Sequence, residues 1–426
     1  MRMLRLSQAC ALAALLLFPA AAHASGYAIY EQSAAALGMG GAYVASAHDA
    51  TAQFYNPAAL ARLEGKHLSL GTTFLSTHTS FAGEPEYPGF GVTEAMEPGT
   101  FFPTTAYWAA RLGERWSYGL GVNTPFGLGV EWEDPDQFTG RTSVTKATLQ
   151  TLNTSGSLAF APSEQWSFAA GVSALYAKVE LNNIATLASG GGQPVNISHQ
   201  KLKSDFTPDF GWHLAALATP NKQWKVGVTY RSEVKVKVDD GDATFSQIPT
   251  GDPALDAAVA ANLPPSQRVT TELTFPAMLS GGVAWDPRED WTVEVDALWT
   301  QWSAFEKLPL RFSDPALNTD IIENYDDQFQ IRAGAEHRMP LWTARFGYYY
   351  DQSPAPTESV TPLLPDANRH GITLGFGINR GPWTFDAYNL FLIFQNRSTE
   401  GRERDGFDGT YKTYVNALGG SVAYHW

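Results

Sequence analysis

Cysteine is all but missing from this chain of 426 residues: there is one, Cys10. It lies ahead of the apolar core of a leader and lacks the residues of a lipoprotein cleavage site, so lipid anchoring is not expected. Once the leader is removed, no disulfide and no thiol chemistry remain. Long apolar runs are also missing. Beyond the leader no stretch approaches the 18 consecutive apolar residues that a membrane helix needs. Charge is sparse, at 17% of residues, and acid exceeds base to leave a formal net charge of −14. A nucleic-acid partner asks for a basic face, so none is expected. Catalytic signatures are absent as well: there is no His-Glu-x-x-His, no Walker loop and no Gly-x-Ser-x-Gly. His48, His67, His78, His199, His213, His337, His370 and His425 show no metal-ligand spacing. Neither enzyme chemistry nor a cofactor is expected.

What is present begins with the leader. Arg2 and Arg5 precede an apolar run from Ala9 to Ala22, and Ala22-His23-Ala24 is a small-x-small cleavage site. Residues 1–24 read as a secretory signal peptide, with the mature chain starting near Ser25. Loss of Arg2 and Arg5 takes the net charge from −14 to −16. Aromatics reach 13%, with 13 Trp and 17 Tyr beside 38 Gly. Signal peptide, aromatic richness and glycine together suit an outer-membrane barrel. A secreted propeller is the alternative, but no blade-length repeat with a shared motif is visible.

From about residue 66 onward, apolar residues recur at every second position. Trp166/Phe168/Ala170/Val172/Ala174/Tyr176 and Trp291/Val293/Val295/Ala297/Trp299 are clear cases. The pattern predicts fourteen strands, at about 66–78, 101–112, 115–130, 142–161, 165–183, 200–218, 223–239, 267–285, 290–304, 325–338, 341–352, 370–379, 382–397 and 410–426. Connections alternate in length. Tight ones such as Gly113-Glu114, Met339-Pro340 and Arg380-Gly381 alternate with long ones near 79–100, 131–141, 184–199, 240–266, 305–324, 353–369 and 398–409. Short periplasmic turns and long outer loops are the pattern of an even-stranded outer-membrane barrel. The final segment carries Leu418, Gly420, Val422, Tyr424 and Trp426 on one face. An aromatic-terminated last strand resembles the signal read by the barrel-assembly machinery, which is therefore an expected partner.

Residues 25–65 break the period-two pattern. Gly38, Gly40 and Gly41 allow close backbone approach and positive φ, and Asn56-Pro57-Ala58 reads as a capped helical start with Pro at its first position. In this setting Ser25-Gly26-Tyr27, Gly38-Met-Gly-Gly-Ala42 and Asn56-Pro57-Ala58 resemble the N-terminal hatch of the outer-membrane long-chain fatty-acid transporter family (FadL type), which includes toluene and xylene uptake channels. Further similar blocks are Gly119–Trp132 with Gly140-Arg141, Trp299–Phe305, and Arg345–Pro354 followed by Thr361-Pro, Leu364-Pro-Asp366 and Arg369.

The resemblance implies an all-β, fourteen-stranded antiparallel transmembrane barrel over 66–426, with residues 25–65 as a hatch in its lumen. It implies a monomer in the outer membrane of a Gram-negative bacterium, among lipid and lipopolysaccharide. The implied function is passive uptake of hydrophobic small molecules, long-chain fatty acids first. A monoaromatic hydrocarbon channel of the same family and a general diffusion porin are the alternatives. Hatch residues would be Ser25, Gly26, Tyr27, Gly38, Gly40, Gly41, Asn56, Pro57 and Ala58. Lateral release is implied at a kink in the third strand. Pro125 cannot donate to a ladder there and Gly127 and Gly129 weaken it, which places the opening at Asn123, Pro125, Phe126, Gly127 and Gly129; a bulge without a gap is the plainer reading. An outer hydrophobic groove is expected on the third long loop (Ile184, Leu187, Val195, Ile197) and the fourth (Phe245, Ile248, Leu255, Val259, Leu263), with a short helix capped by Asp252. A carboxylate ligand in an apolar pocket needs a cationic or hydrogen-bonding partner; Arg141, Lys146, Arg332 and Arg345 are the candidates. The acidic clusters Glu131/Glu133/Asp134/Asp136 and Asp239/Asp240/Asp242 read as solvated faces, with divalent cations shared with lipopolysaccharide as the sharper alternative.

Overall fold

Each period-two segment places apolar side chains on one face of a strand and small or polar ones on the other. In the computed structural model, which describes residues 26–188 and 194–426, these segments close into one antiparallel barrel of fourteen strands. The strands are β1 Lys66–Gly83, β2 Thr104–Arg111, β3 Trp116–Asn123 continued by Gly127–Glu131, β4 Lys146–Phe160 and β5 Trp166–Leu187. They continue as β6 Thr207–Ala218, β7 Trp224–Arg231, β8 Met278–Arg288, β9 Trp291–Thr300 and β10 Gln328–Arg338. The last four are β11 Trp342–Asp351, β12 Arg369–Arg380, β13 Trp383–Phe394 and β14 Gly409–His425. Each pairs with its neighbours in sequence, and β14 closes on β1 from His67↔His425 to Gly83↔Gly409. The signal peptide expected over 1–24, and Ser25, lie outside the described residues.

The outer face is apolar: Phe74, Leu120, Val172, Phe210, Leu214, Val228, Phe346 and Leu418 are all exposed there. Trp116, Trp166, Trp224, Trp285, Trp342 and Trp383 are exposed beside the tight turns, where an aromatic belt meets the headgroups at one membrane face.

The long connections depart from the expectation of irregular loops. β5 runs on to Leu187, and further arms Val195–Lys203, Val234–Gln247 and Gln267–Phe275 extend the ladders outward. The expected strands 223–239 and 267–285 are each interrupted, after Arg231 and after Phe275, and strand continues past the expected ends at 183 and 239 into stretches expected as loop. The strand expected to 304 ends instead at Thr300, followed by a 3-10 turn over Trp302–Ala304 that swings Trp302 inward.

Residues 26–65 lie in the bore. The helix α1 Ala34–Gly38 touches β11, β12, β13 and β14, while the 3-10 helix Pro57–Arg62 touches β2 to β6 on the opposite wall. A segment in contact with opposite walls of a closed barrel must run through its lumen. Small residues make this fit: Gly38 sits so close to β12 that a Cβ would stand 3.0 Å from Gly375 Cα. Gly40 (φ 68°) and Gly41 (φ 76°) turn the chain through the left-handed region. Asn56 caps the 3-10 helix through Ala58 N–H (3.0 Å) and donates to the carbonyls of Val44 (2.7 Å) and Ala216 (3.2 Å). On β9, Asp296 accepts from Tyr43 and Val44 N–H (2.8 and 3.1 Å), and Glu294 from Ala45 and Ser46 N–H (2.6 and 3.0 Å). Four turn donors that would otherwise be orphaned inside the barrel are thereby met.

A methyl group on Gly347 of β11 would overlap the backbone of Met39 and Gly40. Gly347→Ala is therefore expected to cost about 1–3 kcal/mol, read as a lower urea midpoint in phospholipid vesicles. Gly156→Ala, whose added carbon meets its nearest neighbour at 3.5 Å, should leave the midpoint in place. Equal midpoints for the two variants would refute tight packing of the segment on β11.

Candidate functional site: a cavity at the broken third strand

Pro125 has no N–H, and the chain between Asn123 and Gly127 does not continue the β3 ladder. β2 pairs with β3 only from Arg111↔Ser117 to Ala106↔Val122. The next contact on that side is the Met96↔Trp132 bridge, with Glu97 N–H donating to Glu131 O. Between them the wall has no β2–β3 ladder.

Residues 27–32 occupy the break. Ile29 N–H donates to Pro125 O (2.8 Å), and Gly127 N–H donates to Tyr27 O (2.9 Å). Gln32 Nε2 donates to Thr124 O (2.7 Å), and Thr151 Oγ1 bonds both the N–H and the O of Phe126. Tyr27 is anchored in a nest of rings, edge-on to Trp302 (4.8 Å), Phe305 (5.4 Å), Phe126 (5.9 Å) and Phe275 (6.2 Å). Gly26 (φ 56°) must be glycine, since a Cβ would stand 2.9 Å from the Trp302 ring. Its N–H donates to Asp366 Oδ2 at 3.0 Å.

Beside these residues is a cavity of about 550 Å³, lined by residues 26–31, Thr124 and 126–130 at the break, Met96, Glu97 and 101–103, and apolar and threonine side chains of β1, β13 and β14. Its β4 lining includes inward Leu149 and Thr151 and also outward Gln150 and Leu152, and it reaches the exposed Phe102 and Phe206. The cavity therefore passes through the wall. Volume and apolar lining are those of a small-molecule site.

Of the four cations expected to meet a carboxylate, none lines this cavity. Arg345 is ion-paired with Glu336 (2.7 Å) and Asp386 (2.6 Å), and Arg332 donates to Gln330 (2.5 Å) and Gly41 O (3.2 Å). Arg141 donates to Asn196 (2.6 Å) and Phe138 O (2.9 Å), and Lys146 pairs with Glu131 (2.8 Å). Each is already committed, which a sequence pattern does not reveal. The guanidinium that does line the cavity is Arg369, held by Asp351 at 2.8 Å. Arg369, Asp366, Trp302 and Phe305 escaped the sequence reading as site residues. They sit in the blocks Trp299–Phe305 and Leu364–Arg369, which carried the family resemblance.

The outer residues fall into two groups. The arms of β5–β6 and β7–β8 pair with each other, and Ile248 N–H donates to Ile197 O (2.9 Å). Leu187 is exposed, and Val195, Ile197, Phe245, Ile248, Leu255 and Leu263 are half-buried, whereas Ile184 and Val259 are buried and offer no surface. The helix Pro253–Asn262 forms with Asp252 as its cap. No group of ligands suited to a metal ion occurs among the described residues.

Similarity places the chain. The model of the family described as outer membrane protein transport protein (OMPP1/FadL/TodX) matches residues 15–425. The chain is 26% identical over 381 residues to the long-chain fatty acid transport protein of Escherichia coli O6:H1, covering 83% of each. It is 25% identical over 419 residues to outer membrane protein P1 of Haemophilus influenzae, covering 88% of this chain and 86% of that one. Among solved structures, a Pseudomonas aeruginosa FadL homologue superposes with a TM-score of 0.81 at 19% identity, covering 94% and 100%. The Pseudomonas putida toluene transporter TodX gives 0.73 at 16%, covering 95% and 99%. At these identities the two structures speak to the shared barrel fold.

Asp366 yields a pH test. Burial pushes its carboxyl up to about 6 from 3.8, against the pull of Arg369, Ser353 and Gly26 N–H. The folded protein then keeps a proton that the unfolded chain has released. Its contribution to stability is complete below about pH 4 and is lost as pH rises through about 6. The stability of the parent protein minus that of Asp366→Asn should fall by on the order of 3 kcal/mol between pH 4 and pH 7.5. Urea titration in vesicles at both pH values measures it, and a difference independent of pH would contradict the assignment.

Proposed function

The chain belongs to the outer membrane protein transport protein family (OMPP1/FadL/TodX) and sits in the outer membrane of a Gram-negative bacterium, and on that premise we propose that it is a passive uptake channel for hydrophobic small molecules, long-chain fatty acids first among them. One observation carries this reading: an apolar cavity crosses the barrel wall where the third strand is broken, and the chain's first described residues stop the break. Lipopolysaccharide is a poor solvent for such molecules, and a water-filled pore offers them no favourable site. A channel with an interior apolar pocket and a side exit into the bilayer avoids both obstacles.

The proposed sequence has three steps. The outer arms capture the molecule on Leu187, Val195, Ile197, Phe245, Ile248, Leu255 and Leu263, backed by buried Ile184 and Val259. The molecule then enters the cavity, whose size suits a chain more than a single ring. Residues 26–29 of the hatch (25–65) withdraw, the break near Asn123, Pro125, Phe126, Gly127 and Gly129 is freed, and the molecule leaves sideways. Gly38, Gly40, Gly41, Asn56, Pro57 and Ala58 hold the remainder of the hatch in place.

A second reading, a monoaromatic hydrocarbon channel, has one observation in its favour. Arg369, the guanidinium lining the cavity, is already neutralised by Asp351, and Glu31 and Asp366 line the same space. A neutral ligand needs no cation there.

In vesicles loaded with an acyl-CoA synthetase, the protein should speed oleate uptake while passing little steady ion current. Large current without hydrophobe uptake would refute the proposal. A triple variant, Pro125→Val with Gly127→Val and Gly129→Val, puts side chains against Ile29 and Phe101. It should fold, retain heat-modifiable gel mobility and slow uptake at least tenfold. Unchanged uptake in the folded variant would remove the side exit.

A further inference from the structure

Two glycines of the broken strand face the outside of the wall. Gly127 and Gly129 pair with Gln150 and Thr148 of β4. Along β4, Leu149 and Thr151 are buried on the inward face, and Gln150 is exposed on the outward one. Directly opposed residues of a ladder share a face, so Gly127 and Gly129 are turned outward.

Each glycine is covered by a side chain from another element. A Cβ on Gly127 would stand 2.7 Å from Ile29 Cδ1, and one on Gly129 would overlap the ring of Phe101. The two covers differ in origin. Ile29 belongs to the inner segment. Phe101 belongs to the wall: it ends a short strand, Gly99–Phe101, that pairs with β1 at Leu75↔Phe101 and Thr77↔Gly99. Thr73 N–H fixes the next turn of chain by donating to Pro103 O (3.0 Å). Withdrawal of residues 26–29 therefore uncovers Gly127 and leaves Phe101 in place.

Leu75 and Thr77 line the large cavity, and the adjacent Phe74 is exposed on the outer face. Phe101 and Gly99, opposite them, thus leave the backbone on the bore side. The ring of Phe101 lies over Gly99, where a Cβ would meet it at 2.7 Å, and also against the outward side of Gly129. A ring that starts on the bore side of one edge and reaches the outward side of the other lies within the thickness of the wall. No ladder joins Gly99–Phe101 to Gly127–Glu131 among the described residues. The ring fills the space that ladder bonds would otherwise close, and glycine on both edges gives it room.

We propose that Phe101 is the width filter of the side exit, a resident ring in the wall that passes an unbranched hydrocarbon chain and retards a branched one. This rests on the uptake reading and narrows its substrate class to slender chains. After residues 26–29 leave Gly127, the ring on Gly129 still limits the opening. An unbranched chain has the cross-section of a methylene group and passes with a small turn of the ring about its Cα–Cβ bond. A methyl-branched chain requires the ring to leave both glycines together and to forfeit its contacts with them. Phe101 is a specificity-determining residue for release, distinct from the groups that hold the ligand.

The test uses the full protein with palmitate and phytanate, a tetramethyl-branched acid on the same length of main chain, as probes. Transfer into vesicle bilayers is followed with protein-free vesicles subtracted, and binding is measured separately in lipid nanodiscs. Parent protein should bind the two acids alike and transfer palmitate about tenfold faster than phytanate, the low end of what an apolar constriction discriminates. Phe101→Ala should bring the two rates together by raising that of phytanate, with binding of both acids retained. Phe101→Leu keeps a branched apolar side chain beside β1; it should give an intermediate ratio, and it serves where Phe101→Ala fails to fold. Phe101→Trp should slow both acids. Equal rates in the parent, or a ratio unmoved in the folded variants, would overturn the filter and leave the uptake reading intact. Parent protein that binds palmitate and rejects phytanate, or variants that lose palmitate binding and transfer in step, would place the discrimination in the cavity and also overturn it. Parent protein that transfers neither acid would overturn both readings.

Discussion

Hydrocarbon offers no partner to a backbone N–H or C=O, and this constraint governs the molecule. Closure of β14 on β1 satisfies it around the circumference. The third strand violates it locally, because Pro125 cannot donate and the β2–β3 ladder stops at Val122. The polar groups exposed by the break are met by other means. Thr124 O is taken by Gln32, Pro125 O by Ile29, Phe126 by Thr151, and Gly127 N–H by Tyr27 O. Three of these four partners belong to the first seven described residues. The backbone groups bared by the break are met only while residues 27–32 are in place, so the position of this segment and the satisfaction of the broken strand are one variable.

The rest of the interior has to hold that terminus without filling the bore. Backbone-to-backbone contact does this with little volume. Gly38 lies on Gly375, Gly40 on Gly347, and Val44 on Gly227 and Gly282. Such contacts bury little apolar area, so polar interactions carry more of the specificity. Glu294 and Asp296 cap four successive N–H groups of the 43–46 turn, and Asn56 joins that turn to β6. Three of the four carboxylate oxygens accept from this turn, which offsets part of the cost of burying them.

Much of this is written locally in the chain. Alternation specified all fourteen strands, and Asn56-Pro57 specified the 3-10 start, because both depend on residues adjacent in sequence. Pro125 with its nearby glycines marked the break for the same reason. Three things were not legible. The outer arms run past the expected strand ends at 183 and 239 into stretches expected as loop. Tyr27 gains its role from Trp302, Phe305 and Phe275, hundreds of residues away. The arginines of the lumen look alike in sequence; only the distances to Glu336, Asp386, Gln330 and Asp351 separate them by partner.

That separation also limits which part of the inner segment is able to move. Residues 38–46 are bound to a dense polar network: Arg332 on Gly41 O, Asp296 and Glu294 on the turn, and the Glu336–Arg345–Asp386 cluster packed under Gly38. Removing a partner from a buried ion pair costs about 3–5 kcal/mol, and displacing this stretch would disturb several interactions together. Residues 26–29 are held differently. They have aromatic edges around Tyr27, two ladder bonds to β3, one bond from Gly26 to Asp366 and one from Gln32 to Ile29 O, whereas Tyr30 is already tied to the network through Arg332 and Tyr55. A bound apolar chain replaces ring contacts with contacts of its own, whereas it has nothing to offer Glu294 or Arg345. On the proposed uptake route an apolar ligand therefore competes with residues 26–29 alone, and the polar network confines the proposed opening to that end of the segment.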